Sequence, residues 1–204
     1  MTTDSSSAVA GLASSPTTKR QLYEQMVALI YDLGFHASSL RELSRRVGIQ
    51  MPSIYYHFSS KRQLLFEIMV HTMDDLTNLV QVAVAEGGTD VVTQLKAAIA
   101  AHVLFHTERR QEAFIADSEL RSLEPRHRKR VTAMRDKYER IFSDLLERGS
   151  AQGRFAVNDV SLSVKALMAM CTETSVWYRP DGRLSLSDIT ETYTHLFLYG
   201  VCPR

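Results

Sequence analysis

The run from Ser39 to Lys61 leaves the chain little freedom in how it folds. Leu40, Leu43 and Val47 recur at intervals of three and four residues, the apolar stripe of a two-turn helix. Ser39 and Glu42 have the spacing of a capping box, a hydroxyl and a carboxylate that satisfy free amides at a helix start. Gly48 stands where a left-handed residue would end that helix. Ile49 restarts the apolar pattern, Pro52 suits the first turn of a new helix, and Ile54, Tyr55 and Phe58 supply its buried face. The spacing predicts two short helices across a glycine turn, an arrangement whose second helix enters the DNA major groove.

The flanks extend the same logic. From Thr18, the residues Leu22, Met26, Leu29, Ile30 and Leu33 mark a supporting helix closed by Gly34. Ser60 and Gln63 form a second capping box, opening a long helix over about 60–86 that carries Leu64, Leu65, Ile68, Met69, Leu76 and Leu79 to Gly87-Gly88. Such a helix can bridge two units as a rigid lever. Beyond it, Val92, Leu95, Ile99, Val103 and His106 give another stripe, and a shorter helix is expected over Arg110–Ser118. Glu124-Pro125 opens a helix through Val131, Met134, Tyr138, Phe142 and Leu145. Two more are expected at Asp159–Trp177 and Ser185–Gly200. Strand alternation is absent. The expected fold is all-α with about nine helices: a Ser/Thr-rich tail at 1–16, a three-helix DNA-binding unit at 17–66, and a larger C-terminal unit at 67–204.

Composition narrows the partners. A net charge of +1 argues against wholesale coating of nucleic acid, yet Arg41, Arg45, Arg46, Lys61 and Arg62 face a single Glu42 between residues 35 and 65. Cys171 and Cys202 stand in no metal or redox spacing, no apolar run is long enough to span a bilayer, and no secretion signal opens the chain. A cytoplasmic protein without membrane contact is expected. Nothing has the pattern of a phosphate loop, a nucleophile elbow or a complete metal site, so neither an enzyme nor a cofactor is expected. An all-α enzyme or a protein-interaction module is the contrasting class.

Gly48-Ile49-Gln50-Met51-Pro52-Ser53-Ile54-Tyr55-Tyr56-His57-Phe58-Ser59-Ser60-Lys61-Arg62-Gln63-Leu64-Leu65 resembles the DNA-binding core of the TetR family of bacterial transcriptional repressors. The resemblance extends upstream through Gly34-Phe35 and the helix Thr18–Leu33, covering roughly residues 18–66. Gln50 stands where that family usually has Ser or Thr, and Met51 where a polar residue is common, so the operator sequence does not carry over by analogy.

The resemblance implies a double-stranded DNA operator as partner. Gln50 can pair with adenine and Met51 can pack on a thymine methyl. Ser53 and Tyr55 suit phosphate contacts, with Tyr56 and His57 directed at the DNA backbone. Lys61 would bind phosphate at the start of the next helix. Ser39 and Arg41 would grip the other flank.

The C-terminal unit is expected to hold a small-molecule effector. Glu119-Leu120-Arg121-Ser122-Leu123, Arg135-Asp136-x-Tyr138-Glu139, Gly149-x-x-x-Gly153-x-Phe155 and Trp177-Tyr178-Arg179-Pro180-x-Gly182 resemble a TetR subgroup that senses acyl-CoA thioesters from lipid, steroid or aromatic-acid catabolism. Phe114, Met134, Met168 and Met170 suit an acyl or ring system. Arg121 and Arg135 suit CoA phosphates, as does Arg179, and Trp177 a stacked ring. Tyr138 lies on the same helix as Arg135. His102 and His106 sit one turn apart, an incomplete metal site. They remain open as polar groups of the effector pocket or as core histidines. A hydrophobic drug-like ligand of an efflux or stress regulator is the alternative effector.

The last two helices are apolar on more than one face, with Val160, Val164, Leu167, Met168 and Cys171 on one side and Leu162, Ala166, Ala169 and Met170 on others. One stripe suffices for a surface helix. The resemblance accordingly implies a homodimer through these two helices, set against central helices in a monomer.

Overall fold

The computed structural model describes residues 16–201, and the tail reading for 1–15, like Cys202, lies outside the described residues. Ten α-helical segments follow one another: α1 (Pro16–Ala37), α2 (Leu40–Val47), α3 (Met51–His57), α4 (Lys61–Glu86), α5 (Val91–Glu108), α6 (Arg110–Ser118), α7 (Pro125–Ala151), α8 (Val160–Thr172), α9 (Thr174–Trp177) and α10 (Leu186–Val201). A 3-10 turn, Leu120–Ser122, links α6 to α7. Nine segments have seven residues or more, and α9 is a single turn. The fold is all-α, and no strand occurs among the described residues.

Local chemistry sets the boundaries. Gly34 interrupts α1 with φ 77°, and Gly48 closes α2 with φ 73° while its N–H donates to the Ser44 carbonyl. Ser39 and Ser60 accept from the N–H groups of Glu42 and Gln63, half of each expected capping box. The other halves are drawn elsewhere. Glu42 accepts from Arg45 and Arg46, and the Gln63 amide donates to Glu67. A full reciprocal cap forms at Ser185 and Asp188, each accepting the other's N–H.

The helix expected over Asp159–Trp177 breaks at Glu173. The Ser175 hydroxyl donates to the Thr172 carbonyl at 2.9 Å, a local bond that competes with the helical ladder.

Two cores are stacked along α4. Leu64, Leu65, Ile68 and Met69 join Leu22, Met26, Ile30, Leu43, Ile54 and Phe58 in a head core that also takes in Ile115, Leu123 and Val131. Met73, Leu76 and Val80 join Leu95, Ile99, Val103, Tyr138, Phe142, Leu145, Val164 and Leu167 in a body core. Burying each such aliphatic side chain contributes about 1.5–3 kcal/mol. The head therefore includes the α6–α7 corner, far along the sequence from α1–α3.

Candidate nucleic-acid interface and effector site

The head displays the expected recognition helix. Ser44 Oγ donates to the Ile49 carbonyl at 2.6 Å, fixing the turn between α2 and α3. Gln50 caps α3 from an extended backbone and is exposed, with no side-chain cap bond. Ile54 and Phe58 are buried beneath, leaving Tyr55 53% and Tyr56 73% exposed. Tyr56 meets His57 edge-on at 5.2 Å. Arg41 is exposed, and Ser53 is half-buried. Glu42 is held down to about 2, first by the hydrogen bond from Arg45, so it is a spent carboxylate rather than a free negative charge on this face.

Three expected DNA ligands have other work. Met51 packs half-buried against the head core. Ser39 uses its hydroxyl to cap α2. Lys61 donates to the carbonyls of Phe35 at 2.5 Å and Ser38 at 2.7 Å, with its ammonium 4.2 Å from the Phe35 ring centre. Desolvation in that position lowers its pKa from the usual range. Lys61 is thus a clamp on the end of α1, because unpaired helix-end carbonyls attract a cation.

In the body, three expected effector residues meet. His102 is buried between two hydroxyls, with Nδ1 2.6 Å from Tyr138 Oη and Nε2 3.1 Å from Thr172 Oγ1. His106 stacks on it at 4.1 Å and its Nδ1 lies 2.9 Å from the His102 carbonyl. A carbonyl only accepts, so the His106 Nδ1 carries a proton. Burial depresses both imidazoles, for His106 against the opposing pull of that bond and of Asp117. Burial also raises the Tyr138 phenol well above its usual range, and the Cys171 thiol to about 12. The cluster is a neutral hydrogen-bonding surface inside an apolar core. Arg135 donates to the Ala116 carbonyl and stands 3.6 Å from Asp117, the carboxylate whose charge acts on His106.

Met134, Met168 and Met170 pack half-buried on this body core. The remaining expected residues are not gathered there. Phe114 is 45% exposed and packs edge-on against Tyr31 of α1, and Arg121 is exposed within the 3-10 turn. Trp177, the last residue of α9, and Arg179 beyond it are exposed, and Arg110 reaches the α9 carbonyl of Val176 at 3.2 Å. Among the described residues no group of three or more His, Cys, Asp or Glu could hold a metal ion.

A wide opening lies elsewhere. A mainly apolar groove of about 1200 Å³ runs between α4, α5 and α10, lined by Leu79, Ala97, Ala100, Leu104, Leu186 and Leu198, with Lys96, Glu86 and Glu191 also in its lining. None of the expected effector residues lines it. Its signal was the Ala97, Ala100, Ala101, Leu104 face of α5, a second apolar stripe beside the one through Leu95 and Ile99. Thr172, the second hydroxyl on His102, had no signal at all, because its meeting with α5 spans 70 residues.

Residues 18–68 match the family described as bacterial regulatory proteins, tetR family, and residues 88–201 match the tetracyclin repressor-like C-terminal domain. The HTH-type transcriptional repressor KstR2 of Mycolicibacterium smegmatis is 26% identical over 92% of this chain and 93% of its own. The TetR family regulator PfmR of Thermus thermophilus superposes with a TM-score of 0.80 at 28% identity, over 88% of this chain and 97% of its own. AibR, solved with isovaleryl coenzyme A and operator DNA, superposes with a TM-score of 0.81 at 26% identity, over the same shares. No helix among the described residues is long and apolar enough to cross a membrane.

Proposed function

This chain belongs to the TetR family of bacterial regulatory proteins, and on that premise we propose a homodimeric transcriptional repressor that leaves a palindromic operator when a small-molecule effector binds. One observation carries the reading: α4 gives Leu64–Met69 to the head core and Met73, Leu76 and Val80 to the body core. A continuous helix held at both ends carries a change in body packing to the reading head. The effector acts through its differential affinity for the two arrangements.

The dimer forms through α8 and α10. Leu162, Ala166 and Ala169 make an exposed stripe on α8, opposite the buried Val164, Leu167 and Cys171. Leu196 and Tyr199 are exposed on α10. Pairing these faces sets two copies of α3 on successive major grooves, about 34–36 Å apart.

The effector is an acyl-CoA thioester. Its carbonyl meets the His102, Tyr138 and Thr172 cluster, its acyl group packs among Met134, Met168 and Met170, and Arg135 or Arg179 with Trp177 receives the nucleotide end. The bound isovaleryl coenzyme A in AibR supports this class. The α4–α5–α10 groove favours a second reading, an uncharged lipophile, because no arginine stands in its lining.

Native mass spectrometry of the protein as purified from a bacterial host tests both. A dimer with a retained CoA thioester, which then releases duplex DNA when added back, is the expected result. A retained uncharged lipophile with the same effect selects the second reading. A protein with no salt-dependent duplex binding overturns the repressor itself.

A further inference from the structure

The start of α7 carries Arg126-His127-Arg128-Lys129-Arg130, preceded by Arg121 and opposed locally by Glu124. This is the wrong end of a helix for cations, since the amide dipole there is positive, and the first turn of α7 contains no acid. The run therefore costs the isolated helix stability. Arg126 is paired with Glu124 at 3.5 Å, and Glu119 is taken by the Phe35 amide and the Ser122 hydroxyl, while Asp136, two turns on, shares a shallow hollow with Arg128 and Lys129 without an ion pair to either among the described residues. Arg121, Arg128 and Lys129 are exposed and make no ion pair among the described residues.

The run is fixed to the head, not to the body. His127 stacks flat on Phe66 of α4 at 4.0 Å, Arg130 stands 5.5 Å from the same ring, and Val131 is buried in the head core. Phe66 lies about 7.5 Å along α4 from Lys61 at a helical rise of 1.5 Å per residue. Arg62 is exposed one turn below Phe66 on the same face of α4, so cations continue from the base of α4 to the α7 run.

We propose that the α7 run is a second DNA-phosphate surface, gripping the duplex beside the segment read by α3. The proposal builds on the head being a DNA reader, but uses none of the recognition residues. It supplies affinity without sequence preference, as phosphate contacts do.

The test measures binding of the full-length protein to a random-sequence 40-base-pair duplex, a length of about 40, across a series of salt concentrations, because phosphate contacts set the salt slope. The variants are wild type, Arg128→Gln/Lys129→Gln and, separately, Tyr56→Ala. Loss of two phosphate contacts should flatten the log–log slope by about 1.8 per protomer, with the melting temperature unchanged or slightly raised as two cations leave the positive end of the helix. An unchanged slope in the α7 variant, with weaker binding in Tyr56→Ala, overturns this inference and leaves the head's reading intact. No duplex binding by wild type brings down both. If the α7 variant loses poly-glutamate binding and keeps its DNA slope, the surface is for an acidic protein and the proposal fails.

Discussion

The Phe35 amide donates to the Glu119 carboxylate at 2.9 Å, joining positions 84 residues apart. The carbonyl of Phe35 accepts from Lys61, so one residue at the end of α1 is held by both the α6–α7 corner and the base of α4. The turn at Gly34, with φ 77°, delivers Phe35 to that position. Glu119→Ala leaves the amide of a buried residue unpaired, a cost of about 1–3 kcal/mol. Melting by calorimetry should then fall by roughly 2–4 °C for each kcal/mol in a chain of this size. A variant melting with wild type would show that this bond does not hold the α6–α7 corner to the end of α1.

Gly149 presents a different constraint. A Cβ built there overlaps the ring of Phe155, which is buried in the body core. Gly149→Ala must push that ring outward, an overpacking cost of about 1–3 kcal/mol. Lower stability in urea unfolding is the expected result, with partial recovery in Gly149→Ala/Phe155→Leu. If the single variant matches wild type, the ring moves aside freely.

Much of this molecule could be read from the order of its residues, for local reasons. The glycine at 48, the hydroxyls at 39 and 60 and the apolar stripes each act within a turn or two, so their consequences survive any tertiary arrangement. Long-range partners were beyond that reach. Lys61 reads as a phosphate ligand because three carbonyls at and just past the end of α1, more than 20 residues earlier, leave no local mark. Phe114 looked like a pocket residue and instead meets Tyr31. His102 and His106 were visible as a pair, but Tyr138 and Thr172 had to be brought to them by α7 and α8.

That pair makes stability depend on pH with a definite sign. Both imidazoles are neutral in the fold because burial depresses them, whereas in the unfolded chain they take up protons below about pH 6.5. Stability is therefore full above that pH and falls as pH drops toward the folded values, by at most about 1.4 kcal/mol per pH unit for each histidine. Melting temperatures from pH 7.5 down to about 5.5 should decline, a window kept above the ordinary carboxylate range. His102→Gln should melt lower at pH 7.5 but with a flatter profile. Parallel profiles for the two proteins would assign the decline to other groups.

The recognition helix separates affinity from choice. Tyr56 is 73% exposed, so Tyr56→Ala should leave melting unchanged while weakening all duplexes alike, by about 1–1.5 kcal/mol for one lost hydrogen bond. Gln50→Ala should change the sequences recovered from a random pool, since a paired contact to adenine discriminates by about 1–3 kcal/mol. Identical recovered sequences would take Gln50 out of base reading.

The faces of α8 and α10 give the last expectation. Leu162 is 65% exposed and Leu196 58% exposed, while the inward sides of the same helices are buried in the body core. A charge placed on the exposed side leaves the protomer's own packing untouched, so Leu162→Glu/Leu196→Glu should keep its helical circular dichroism. In a dimer the same charges would be buried without partners, at a cost of several kcal/mol. Sedimentation should then show a dimer for wild type and a monomer for the variant. Half-site binding by the monomer should persist at the affinity of a single head, because the reading residues of α3 are untouched. A variant that remains a dimer would place the pairing surface elsewhere, and the two-headed operator would need another geometry.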